Sequence, residues 1–124
     1  MTNDSAVVLR YRDGRTERAM LAPAESTIDS ANERLIVRRD DGSDDAVAFA
    51  DLKAVFFPRH EEDPLEEPSG STISVEFADG EVIRGLAHYN PERNGFFLFP
   101  HDRSKNDRIF VVNSAIMSIE VEKL

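Results

Sequence analysis

The chain contains no cysteine and no tryptophan. Without cysteine there is no disulfide framework and no thiolate zinc site, so the default compartment is the cytoplasm. Histidine is scarce as well. His60, His88 and His101 form no HxxxH or HxH arrangement, and a metal would need carboxylates gathered by folding. No apolar run approaches the roughly 20 residues of a membrane-spanning helix, and Met1-Thr2-Asn3-Asp4 has neither the basic nor the apolar segment of a signal peptide. Basic charge is outnumbered: 15 Lys and Arg face 24 Asp and Glu, for a formal net charge of −9. A field of that sign repels nucleic-acid backbones and anionic lipid, so RNA, DNA and membrane partners are disfavoured; its plain role is solubility. There is also no P-loop and no GxGxxG, the six glycines being scattered as turn residues. The acid pairs Asp40-Asp41 and Asp44-Asp45 fall in a turn, where Asp is favoured for backbone reasons. No catalytic constellation emerges, and the reading is of a non-enzyme without cofactor.

What is present is a repeat. Val7-Val8-Leu9-Arg10-Tyr11-Arg12-Asp13-Gly14 and Ile73-Ser74-Val75-Glu76-Phe77-Ala78-Asp79-Gly80 share apolar residues at alternate positions running into Asp-Gly, at an offset of 66. Arg34-Leu35-Ile36-Val37 then answers to Phe96-Phe97-Leu98-Phe99, Val47 to Val111, and Leu52-Lys53-Ala54-Val55 to Ile116-Met117-Ser118-Ile119. A duplicated small unit creates an interface between its copies. Each copy has only about 50 residues, a size at which an isolated core is marginal, so the copies are expected to pack together.

Period-2 alternation predicts strands at 6–11 and from Ile73 to Phe77, with antiparallel returns at 15–21 and 81–89; further strands are read at 34–39, 46–49 and 53–57 and at 95–100, 108–112 and 116–123. Asp13-Gly14 and Asp79-Gly80 predict two-residue hairpin turns, and a single 3₁₀ turn precedes each last strand. Five short strands with such a turn are the layout of a small SH3-like or Sm-like barrel. The expected fold is therefore all-β: two tandem five-stranded barrels, 1–57 and 71–124, packed as a pseudo-symmetric pair. The segment 58–70, with three prolines and clustered acids, reads as an extended linker.

Two strands are apolar on both faces, Ala54-Val55-Phe56-Phe57 and Phe96-Phe97-Leu98-Phe99. Successive side chains point to opposite sides, so Phe97 and Phe99 would fill one core while Phe96 and Leu98 need another cover. The nearest cover is the other repeat; the functional alternative makes Phe56, Phe57 and Phe96 exposed anchors for a partner. Arg93, His101, Arg103, Lys105 and Arg108 flank the third and fourth strands of the second copy with Tyr89 and Phe96 nearby, and arginines beside aromatics can hold a phosphate and stack a base. Asp102 and Asp107 interleave with them. The RxxxR form of Arg34 to Arg38 and the D-x-S form of Asp41-Gly42-Ser43 touch on the cyclic-dinucleotide motifs of PilZ domains. Those motifs are well separated and the second ends in glycine, whereas here they nearly adjoin and Ala46 stands at that place, a chance match.

The chain resembles an uncharacterised bacterial domain family that occurs alone or beside signalling modules. The resemblance rests on Asp51-Leu52-Lys53-Ala54-Val55-Phe56-Phe57, on Phe77-x-Asp79-Gly80-Glu81-x-Ile83-x-Gly85, on Gly95-Phe96-Phe97-Leu98-x-Pro100-x-Asp102 and on Ser104-x-Asn106-x-Arg108-Ile109-Phe110-Val111. It implies no reaction and no ligand. The functional expectation is a cytoplasmic protein-interaction or scaffolding module in bacterial regulation, with Phe56, Phe57, Phe96, Arg93, Arg103 and Arg108 as contact residues. The rival is a sensor in which Arg93, Arg103, Lys105 and Arg108 hold an anionic small molecule or nucleotide. Oligomeric state is open at this level.

Overall fold

Alternating apolar residues become strands wherever the sequence places them. A computed structural model describes residues 6–21, 33–39, 41–58, 70–101 and 106–122. Its first half runs β1 (Ala6–Tyr11), β2 (Thr16–Leu21), β3 (Arg34–Arg38), β4 (Asp44–Ala48), the 3₁₀ turn η1 (Phe49–Asp51) and β5 (Leu52–Pro58). The second repeats it with β6 (Ser71–Phe77), β7 (Val82–Ala87), β8 (Gly95–Pro100), β9 (Asn106–Val112), η2 (Asn113–Ala115) and β10 (Ile116–Val121). The first long connection (22–32) and nearly all of the expected linker (59–69) lie outside the described residues.

All ten strands belong to one antiparallel sheet in the order β10-β6-β7-β8-β9-β5-β1-β2-β3-β4. The halves have the same internal order, last strand beside first, and the fourth strand of the second half pairs with the fifth of the first. The ladder is not closed into a barrel. Two tandem barrels are thus not confirmed: the edges that each half would have to close on itself are joined to one another at β5 and β9, or left open at β4 and β10.

The repeat extends to irregularities. Each first hairpin is a three-residue loop rather than the expected two-residue turn. Tyr11 N–H donates to Arg15 O at 2.9 Å and Gly14 N–H to Tyr11 O at 3.1 Å; Phe77, Glu81 and Gly80 reproduce this at 2.9 and 2.9 Å. Only the glycine is left-handed, with φ 95° at Gly14 and 90° at Gly80. Each last strand bulges at one residue. Leu52 pairs with Tyr11 and Ala54 with Arg10, leaving Lys53 extra; Ile116 pairs with Phe77 and Ser118 with Glu76, leaving Met117 extra.

Paired residues share a face, so the registers locate the cores. Val7, Leu9, Leu21, Leu35, Val37 and Val47 line one face in the first half. Through Leu9↔Val55, Val55↔Phe110 and Phe97↔Phe110 that face continues onto β9 and β8. Ile73, Val75, Ala87, Leu98, Phe96 and Val111 occupy the opposite face, which continues through Val111↔Ala54 and Ile109↔Phe56 onto β5. The two halves therefore bury opposite faces of one sheet, and β5 and β9 lie in both cores. That is why Ala54 to Phe57 and Ile109 to Val112 are apolar on every side chain.

The register also corrects the alignment of the third strands. Leu35 faces Val47 as Phe96 faces Val111, so Leu35 answers to Phe96 and the whole strand shifts by one from the sequence match. A one-residue slip exchanges faces. Phe96 and Leu98 fill the second half's own core, while Phe97 turns to the first half's face, where rings run from Phe57 to Phe97 (5.7 Å between centroids), Phe110 (5.2 Å) and Phe49 (5.5 Å).

Candidate functional site

The joint between the halves starts from the β5–β9 ladder, with pairs Ala54↔Val111, Val55↔Phe110, Phe56↔Ile109 and Phe57↔Arg108. Around it the second hairpin folds over the first half. Lys53, raised out of the ladder by its bulge, donates from Nζ to Asp79 Oδ2 at 2.8 Å and to Glu81 Oε1, and lies 4.8 Å from the centre of the Phe77 ring. It is the one buried charged residue among those described. Burial pulls the ammonium down, yet the hydrogen bonds to Asp79 and Glu81 outweigh it and its pKa is raised; Asp79 is lowered, first by Lys53 and then by the Glu81 backbone N–H. Arg10 stacks 4.5 Å over Phe56 and reaches Glu81 Oε2 at 3.2 Å. Arg12 donates to Leu52 O at 2.9 Å, to Phe49 O at 3.2 Å and to Ser114 Oγ, tying η1 to η2.

The residues singled out from sequence distribute as follows. Phe56, Phe57 and Phe96 are buried, at 8%, 4% and 5% exposure, in the cores that the joint unites. Arg108 lies over the Phe57 and Phe97 rings at 4.4 and 5.4 Å and bonds Asp107 at 3.1 Å. Arg93 is exposed and lines a cleft of about 700 Å³ beside η1 and η2, with Tyr89, Asn113 and Ser114. Tyr89 packs edge-on to Phe96 at 5.3 Å. Arg103 and Lys105 lie outside the described residues. The structure does not gather Arg93 and Arg108 onto a common lining: Arg93 borders the cleft and Arg108 the aromatic row. No three His, Asp or Glu among the described residues come together as a metal site, and no helix among them is long and apolar enough to cross a membrane.

Sequence reasoning missed Lys53, Arg10, Asp79 and Glu81 as the polar centre of the joint. The signal was a lone cation inside the apolar run Leu52 to Phe57, matched by an acid pair flanking the second turn glycine.

Among the described residues both ends of the sheet are open: β4 pairs only with β3, and β10 only with β6. Arg39 N–H donating to Ser43 O and Phe49 N–H donating to Glu33 O fix the phase of the β3–β4 ladder, so the N–H groups of Asp44, Ala46 and Ala48 point away from β3. Glu122 N–H donating to Thr72 O does the same for β10, where Ile119 and Val121 present outward N–H groups. Val121 is 45% and Met117 60% exposed. Acids flank both edges. Asp44 is held by Arg38 at 2.9 Å, Asp45 by Arg39 at 3.1 Å, and Glu122 by Arg84.

A family profile described as a family of unknown function, DUF6982, matches residues 3–123. The chain belongs to that family. No curated protein and no solved structure matches it. The kinship with an uncharacterised domain that the sequence motifs implied is thus shown, and it brings no reaction with it.

Proposed function

We propose that this domain is a non-enzymatic interaction and scaffolding module that binds a protein partner by strand addition at β4 or β10. The observation that carries this reading is the pair of open edges, each presenting outward N–H groups, in a protein whose own halves are held together by an edge-to-edge ladder. An unpaired edge is a template for an incoming strand, its backbone groups supplying affinity and alternate side chains selectivity. The acids beside each edge guard it against indiscriminate pairing, and Asp44, Asp45 and Glu122 already carry arginine partners, so a matching strand is not repelled by them outright.

The test is capture of partners by the tagged full chain, compared with two edge variants. Val121→Pro keeps apolar volume and removes an outward N–H from β10; Ala46→Pro does the same on β4. A partner bound by strand addition is lost with one of these variants while the other, and the thermal stability of both, is retained. A partner held equally by wild type and by both variants contradicts the reading.

A further inference from the structure

We propose that the partner of one open edge is the other open edge of a second copy: the domain associates head to tail, β10 of one chain against β4 of the next, repeating the internal joint. This rests on the edge-docking reading and names its occupant. The internal joint pairs the fifth strand of one half with the fourth strand of the other. The only strands of those two kinds left unjoined among the described residues are β10, equivalent to β5, and β4, equivalent to β9.

Three features of the edges fit. Carrying the β5–β9 register across through the matched bulges and 3₁₀ turns places Ile119 opposite Ala46 and Val121 opposite Asp44. These are the residues whose N–H groups point outward on each edge, so the copied register brings donors and acceptors into a ladder rather than out of phase. Inside the chain, Arg10 meets Glu81; the equivalent positions are Glu76 and Arg15, the same ion pair with its signs exchanged. Finally, Lys53 lies over the Phe77 ring; the equivalent ring, Tyr11, is covered by Arg15 at 4.4 Å, and Met117, the bulged counterpart of Lys53, would take that place once Arg15 turns to Glu76. Met117 is the most exposed large apolar residue of the described surface, a cost the association removes.

One contact opposes the arrangement, since Glu120 falls opposite Asp45; Arg39, already 3.1 Å from Asp45, stands beside it. Arg15 already bonds Asp13, exposed and on the same turn, and lies 4.4 Å over the Tyr11 ring; exposed pairs exchange at little cost. Because the contact is heterologous, it does not stop at two chains but continues into a ring or an open filament.

Sedimentation velocity of the purified full chain, from micromolar to millimolar concentration at low salt, tests this. The mass should rise with concentration past that of a dimer. Arg15→Glu should weaken the association about tenfold, and adding Glu76→Arg should restore it. Val121→Pro and Ala46→Pro, on opposite edges, should each leave single chains. A mass of one chain at every concentration overturns the proposal, and so does a species that stops at two chains and ignores Arg15→Glu. In either case the edge-docking reading stands if Val121→Pro or Ala46→Pro still loses a captured partner, and falls with it if neither does.

Discussion

Lys53 shows how one residue acquires a role from the chain around it. Its bulge lifts the side chain off the ladder, its stem is buried, and its ammonium ends on two carboxylates of the other half. The paired Asp79 has a folded pKa below its unfolded value, so its contribution is present at neutral pH and fades as pH falls through about 4 toward the lowered value. The raised pKa of Lys53 works in the other direction: its contribution is complete below about 10.5 and is lost as pH climbs through the raised value. Lys53→Met, which keeps the stem and supplies the residue found at the equivalent bulge, should lower Tm by roughly 4 °C at pH 7. That difference should shrink in melts below pH 4; a constant difference across pH would show that the pair is not its cause. A second residue-scale constraint is Gly95, where a Cβ would meet the backbone of Val111 and the Phe110 ring at 2.5 Å. Gly95→Ala should cost about 3 kcal/mol in denaturant unfolding. The lone cation in an apolar run hinted at the role of Lys53, but its partners, like those of Gly95, are atoms brought from far along the chain.

At the scale of elements, β5 and β9 carry the fold because they are the two strands with a core on each side. Phe110, fully buried in the first half's face although it belongs to the second half, is the clearest case. Phe110→Ala should destabilise the protein by about 4 kcal/mol and speed exchange of β1 amides as well as those of β8, checked by chemical denaturation and hydrogen exchange. The positions of the strands and the 3₁₀ turns were legible, since a strict alternation ending in Asp-Gly leaves little choice of element. The facing of β8 was not. A run apolar on both faces has no periodic signal to fix its phase, and the connections ahead of β3 and β8 differ in length, so the match of the third strands slipped by one residue. The hairpin length failed for a similar reason: a left-handed glycine after Asp fits both a two-residue and a three-residue loop, and only the hydrogen bond between Tyr11 N–H and Arg15 O distinguishes them.

For the whole molecule, duplication gave the right parts and not the way they join. Two halves of about 50 residues each bury too little alone, and a shared ladder lets the apolar fifth strand of one and fourth strand of the other serve both. This arrangement needs a continuous sheet, opposite-facing cores and two open ends. It predicts a single cooperative unfolding transition for the full chain, with fluorescence of Tyr11 and Tyr89, one in each half, lost together. Of the candidate site, the aromatic positions were visible in the sequence. Their place inside the joint was not, because exposure is decided by which strand pairs with which.

Residue-resolved hydrogen exchange of the dilute full chain tests the joint most directly. The account predicts that amides of β5 and β9, from Val55 to Phe57 and Ile109 to Val111, are the slowest in the protein, and that those of Ala46, Ile119 and Val121 exchange fastest among strand residues. If β5 and β9 amides exchange as quickly as those three, the halves are separate bodies with edges of their own, and the continuous sheet is wrong.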